Sequence, residues 1–144
     1  MIHRKKTTVL ILAVAVLCAA LAFAQAKGPG EPGKVIVSIY RIAPGKHLDF
    51  LKWMAAREAL DKEAGVAATQ WYVHTNGDSW DFVAIAPQTT DAEDKKLDEL
   101  AKGKGLKIGF AAALEFRQFV SSHTDTFARG PGSAAELVSA AGGN

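Results

Sequence analysis

Cysteine is almost absent from this chain: there is one, Cys18, among 144 residues. It sits inside an apolar run near the N-terminus. The rest of the sequence therefore has no disulfide, no thiolate nucleophile and no thiolate-ligated metal, so stability has to come from packing. Metal-ligand spacing is missing too. The four histidines, His3, His47, His74 and His123, form no H-E-x-x-H and no close pair. No glycine-rich phosphate loop follows a strand-like run. Gly28 to Gly33 precedes the first such run, and Gly103 and Gly105 follow a helical one. Charge of one sign is also lacking, with 17 Lys+Arg against 15 Asp+Glu, formally +2 at pH 7. That balance gives no electrostatic reason to expect nucleic acid or an anionic membrane as partner. Nor does any apolar run reach the roughly 20 residues of a spanning helix.

What is present begins with a leader. Arg4, Lys5 and Lys6 form a basic head, and an apolar run follows from Val9 to Phe23. Ala22-Phe23-Ala24 then offers small residues to a signal peptidase, with Ala24-Gln25-Ala26 as a second register. Such a segment reads as a secretory signal peptide over 1–24, which places the protein in the periplasm or outside the cell. Leu17 before Cys18 argues against lipidation. Removing the leader takes three of the 17 basic residues and none of the 15 acidic ones, leaving 14 against 15, near −1. About 120 residues remain, enough for one modest core.

Lys27 to Gly33 reads KGPGEPG, so 25–33 is expected as a flexible linker. The domain is expected over 34–129 and a tail over 130–144. Val35 to Ile42 is a β-branched run and predicts a strand, ended by Ala43-Pro44-Gly45. Phe50, Trp53, Met54, Leu60 and Ala64 recur at helical spacing and predict a helix over 46–64, with Gly65 as its C-cap. Asn76-Gly77 between 68–75 and 79–86 predicts a two-residue hairpin turn. In that register Trp71 faces Phe82 and Val73 faces Trp80. On the opposite face Tyr72 meets Asp81 and His74 meets Ser79. Thr90-Asp91-Ala92-Glu93 fits a capping box opening a helix to about Lys102. The segment after Gly105 is read as helix over about 107–122, with a fourth strand within 114–129 as the alternative. Ser133 to Ser139 reads as one or two helical turns.

The order strand, helix, hairpin, helix and an uncertain last element is the split βαβ or ferredoxin-like α+β pattern. A strand ending in Ile42-Ala43-Pro44-Gly45-Lys46, a helix with Phe50 five residues past the glycine, and the aromatic hairpin Trp71 to Ile85 resemble the dimeric α+β barrel superfamily. Antibiotic-biosynthesis monooxygenase-like domains and many small exported domains belong there. The resemblance spans about 34–102. It implies a homodimer whose sheets pair into a barrel, with a cleft between sheet and helices in each subunit. Activities in the superfamily run from oxygenases and haem-degrading enzymes to domains with no known catalysis, so the fold does not choose a function.

The sheet itself also asks for a partner. Val35, Val37 and Ile39 share one face of the first strand, and Trp71, Val73, Trp80 and Phe82 share one face of the hairpin. If these are opposite sheet faces, helices cover only one set, and a second copy would cover the other.

Candidate site residues are few. Tyr72, His74 and Asp81 would line the polar side of the hairpin, where a His near a carboxylate and a phenol suits a general base or a polar ligand. The same residues read equally as a solvated face. Arg57 on the first helix would hold an anionic oxygen with its planar fork, or lay its stem on apolar neighbours and pair with an acid such as Asp61. His123 lies in Ser121-Ser122-His123-Thr124-Asp125-Thr126. Residues this close cannot form a Ser-His-Asp triad, and there is no G-x-S-x-G elbow. His47 is expected to be exposed. A lone His74 or His123 would be the axial ligand if haem were bound. The sequence thus points to an exported small-ligand-binding homodimer without a cofactor. The alternatives are a cofactor-free or haem-linked oxygenase-like enzyme and a structural partner-binding domain.

Overall fold

The computed structural model describes residues 33–142. The signal peptide expected over 1–24 and the linker up to residue 32 lie outside the described residues. Strand β1 runs Gly33–Ile42, so the expected linker already gives way to strand at Gly33. The turn that follows is tight. Gly45 has φ +77, and the Lys46 N–H donates to the Ala43 carbonyl at 3.0 Å. Proline followed by a positive-φ glycine is what a type II turn requires.

Helix α1, His47–Ala64, ends at Gly65 in the left-handed region. The Val66 N–H reaches back to the Asp61 carbonyl at 2.9 Å, which closes the helix as a Schellman motif. Strands β2, Gln70–Val73, and β3, Phe82–Pro87, form the expected hairpin arms. Helix α2, Asp91–Gly103, carries the capping box read from the sequence: the Thr90 side chain accepts from the Glu93 N–H, and Glu93 accepts from the Thr90 N–H. A short helix α3, Gly109–Phe116, precedes strand β4, Val120–Gly130. Helix α4, Ala134–Ala140, closes the described chain and has its own capping box between Ser133 and Glu136.

The sheet has four strands in the order β2-β3-β1-β4, and every pair is antiparallel. This order, with one helix crossing after β1 and another after β3, makes the protein a ferredoxin-like α+β fold; α3 is added before the last strand. Helices α1 and α2 lie side by side. Lys96 Nζ on the Ala64 carbonyl at 2.9 Å and Lys104 on Glu63 at 2.7 Å tie them together. Among the described residues no helix is long and apolar enough to cross a membrane.

Alternation along β1 assigns the two sheet faces. Tyr40 and Ile42 point to the helices and join Phe50, Phe82 and Ala84 in the core, with Met54, Trp71 and Phe116 packed against it. Val35, Val37 and Ile39 occupy the other, open face. This is the division into opposite faces that the sequence suggested.

Two expectations are corrected. The helix expected over 107–122 stops at Phe116, and the alternative, a fourth strand, is what forms. Val120 to Thr126 is rich in serine, threonine and aspartate, which lose against helix formers. Pairing with β1 over its whole length gives the backbone groups of β4 their partners instead. The hairpin is the second correction. Tyr72 pairs with Val83 and Trp71 with Ala84, two positions away from the Asn-Gly register. The ladder continues one step to His74, whose N–H donates to the Asp81 carbonyl at 3.0 Å. A shift of two keeps the paired side chains on their expected faces: Trp71 and Phe82 reach the core, whereas Val73 is largely exposed and Trp80 packs on His74 in the loop. The loop is long because β1 holds it. Arg41 Nε donates to the Ser79 carbonyl at 3.0 Å, and the Asp81 N–H to the Tyr40 carbonyl at 2.8 Å. Gly77 still carries φ +115. Gly77→Val is expected to cost about 1 kcal/mol or more in a urea melt, because a β-branched residue resists that region.

Candidate functional site

The five residues singled out from the sequence do not converge. Tyr72 projects from the open face, half exposed, and its hydroxyl donates to Gln70 Oε1 at 3.2 Å. Arg57 is on the helix side of the sheet. Its guanidinium lies 4.0 Å over the Trp53 ring, and Nη2 donates to the Lys107 carbonyl at 2.9 Å. That carbonyl takes the place of Asp61 as its partner. Burial pushes the Arg57 pKa down, while the carboxylates of Glu115 and Asp98 act against the shift. Tyr72 and Arg57 are thus divided by the sheet, and the pairing of Tyr72 with Asp81 is replaced by the register above.

Asp81 is a structural clamp. Its Oδ2 accepts the Ile42 N–H at 2.6 Å, and its Oδ1 lies 3.1 Å from His47 Nε2. The Ile42 N–H, with His47 adding to it, holds the carboxyl below the usual range. His47 is half exposed, and this partner was not read from the sequence. His74 sits edge-on to Trp80 with ring centroids 5.0 Å apart. Its Nε2 is buried without a hydrogen-bond partner, and an enclosed nitrogen of this kind does not fit an axial haem ligand.

The residues that do assemble are on β1 and β4. The strand register sets Ser38 beside Asp125 and Tyr40 beside His123, all on the helix side. Ser38 Oγ donates to Asp125 Oδ1 at 2.7 Å. His123 Nε2 lies 3.6 Å from Asp125 Oδ2. The Tyr40 ring stacks on the His123 imidazole at 6.3 Å, and Phe116 meets the imidazole edge-on at 4.9 Å. Burial, with the charge of Asp125 adding to it, raises the Tyr40 phenol above its ordinary pKa, against a hydrogen bond from Ser38. Tyr40 therefore remains protonated across the physiological range. Ser38 and Tyr40 are buried, each 7% exposed, whereas 37% of the His123 side chain and 47% of the Asp125 side chain meet solvent.

Such a site can hold a polar group. A carboxylate lies 3.6 Å from the imidazole, and an imidazole can accept or donate a hydrogen bond. Phe116 supplies an apolar wall, and Trp53 extends it at 5.6 Å. Trp53 is itself fixed by Nε1 donating to Glu115 at 2.8 Å. The Trp53 N–H and Lys107 keep the Glu115 carboxyl below the usual range, so this corner carries charge beside Arg57.

Of this group the sequence reading had singled out only His123. The missed signal is alternation. Ser38 and Tyr40 are spaced by two on one strand, and His123 and Asp125 are spaced by two just beyond the helix expected over 107–122, within the 114–129 range of the alternative strand. As helix, His123 and Asp125 diverge; as strand they share a face.

Two solved structures are similar to this fold. One is a dimeric protein of unknown function and ferredoxin-like fold from Bacteroides fragilis NCTC 9343, 12% identical over 67% of this chain and 95% of that one, with a TM-score of 0.40. The other is a dimeric ferredoxin-like protein from an uncultured marine organism, 10% identical over 72% of this chain and 90% of that one, with a TM-score of 0.43. No family model and no curated protein matches the chain.

Proposed function

We propose that this protein is an exported domain that binds a small aromatic or anionic ligand, works as a homodimer, and has no resident cofactor. The ligand is placed against His123 and Tyr40, with Phe116 as the wall and Arg57 at the far end of the Trp53–Phe116 contact. The single observation behind this reading is the Ser38–Asp125–His123–Tyr40 group. It is a polar set, buried at Ser38 and Tyr40 and reaching solvent at His123 and Asp125, beside a core otherwise built from apolar and aromatic side chains. The resemblance to the dimeric α+β barrel superfamily supports a site between sheet and helices. Tyr72, His74 and Asp81 are left out of it for the geometric reasons above.

A thermal-shift screen of phenols and aromatic carboxylates should give at least one ligand. His123→Ala, in a protein that stays folded, is expected to weaken that ligand about tenfold or more, about 1.4 kcal/mol of binding free energy. Equal affinity in both proteins would place the ligand elsewhere. A Soret band that survives dialysis and disappears in His123→Ala would replace this reading with a haem-linked one.

Export rests on the leader sequence. Mass spectrometry of the mature protein is expected to show an N-terminus at Gln25 or Lys27. A soluble product that keeps Met1 would overturn export.

A further inference from the structure

We infer that helix α4 docks on the open sheet face of a second copy of the chain, so that the homodimer is fastened by an exchange of C-terminal arms. The inference rests on the homodimer proposed above. Two features lack a partner among the described residues, and they match.

The first feature is the open face. Val35, Val37 and Ile85 line an apolar hollow of about 340 Å³ on it, with Pro87, Ala128 and Pro131 at its margin. None of the residues lining the hollow belongs to a helix. An apolar surface of this kind marks an interaction site more often than bare solvent contact.

The second feature is α4. Its capping box shows a segment built to be helical. At seven residues it is far below the roughly 12–15 needed for a marginally stable helix in water. Packing has to stabilise it, yet none of its residues is buried. Leu137 is 67% and Val138 57% exposed. They are adjacent in sequence and present apolar surface with nothing to meet.

Position joins the two. The tail leaves β4 at Gly130, and Gly130 and Pro131 themselves form part of the rim of the hollow. To fill its own hollow, α4 would have to double back within the three residues before Ala134, and in this chain it does not. A two-fold axis passing near this rim brings each rim to the other copy's hollow. Symmetry then makes the contact reciprocal, the arm of each copy meeting the hollow of the other.

The test uses engineered cysteines in the Cys18→Ser chain, which has no other thiol. Val37→Cys and Leu137→Cys are made separately, mixed one to one and oxidised. The expected result is a disulfide-linked dimer that forms in the mixture and in neither single variant. In the double variant the link should run between chains, not within one. Leu137→Asp with Val138→Asp should raise the dimer dissociation constant at least tenfold in sedimentation equilibrium, with the circular dichroism of the sheet retained. A dimer that gives no cross-link in the mixture would overturn the arm exchange and leave the homodimer standing. A disulfide within one chain, or one between two Leu137→Cys chains, would also overturn it. A wild-type chain that sediments as a monomer at micromolar concentration would overturn both.

Discussion

Phe50→Ala is expected to lower the unfolding free energy by about 3–5 kcal/mol, the range for deleting a buried aromatic side chain. Phe50 is fully buried, at 0% exposed. Its ring lies 5.1 Å from Tyr40, 5.8 Å from Phe82, 6.1 Å from Trp71 and 6.3 Å from Phe116. Those four belong to β1, β3, β2 and α3, so one side chain on α1 joins three strands and a second helix. Small domains hold only about 5–15 kcal/mol in total, and the loss is therefore a large part of the whole. The natural control is Leu48→Ala two residues earlier. Leu48 is 62% exposed, and its loss should stay within about 0.5 kcal/mol. Equal urea midpoints for the two variants would show that the core is not centred on Phe50.

Asp81→Ala is expected to cost about 1–3 kcal/mol, because it removes the acceptor of the Ile42 N–H and leaves that donor without its partner. The effect depends on pH, and its sign follows from the direction of the pKa. The folded carboxyl titrates below its ordinary value. Its contribution is therefore complete above the unfolded value of about 3.9, and it is lost as pH falls through the lower folded value. Wild type and Asp81→Ala should differ most near neutrality and converge as pH falls below about 4. Asp81→Asn keeps the shape and removes the charge. A difference between wild type and Asp81→Ala that stays constant from pH 7 to pH 3 would show that the carboxylate charge has no part in the clamp.

Local signals were legible in the sequence and long-range ones were not. The β-branched run of β1, the Pro44-Gly45 turn, the spacing of α1 and the Thr90–Glu93 box each act within a few residues, and each is found where it was read. The hairpin shows the limit. Asn76-Gly77 is a strong turn signal, but Arg41 and Asp81 bind the loop to β1, and no reading of 68–86 alone contains those partners. The error of two positions left the faces intact, which is why the aromatic core was right while the facing of Tyr72 and Asp81 was not. The fourth strand was legible only as the alternative to a helix, for a similar reason. Its partner is β1, and alanines 111–113 pull a local reading toward helix. The candidate site inherited that error. His123 was visible as a residue, but Ser38, Tyr40 and Asp125 join it only through a β1–β4 register that a local reading cannot supply.

The placement of β1 has a consequence in time. Among the described strands it is the first in sequence, it lies inside the sheet, and one of its two neighbours is the last. The Ser38–Asp125 hydrogen bond spans 87 residues of chain. Contacts this distant in sequence slow folding, because the loop must close before they contribute. A ribosome-bound chain lacking residues 120–130 exposes one whole edge of β1 and has no strand that can complete the sheet. The β1–β4 edge of the sheet therefore closes only once residues 120–130 are available.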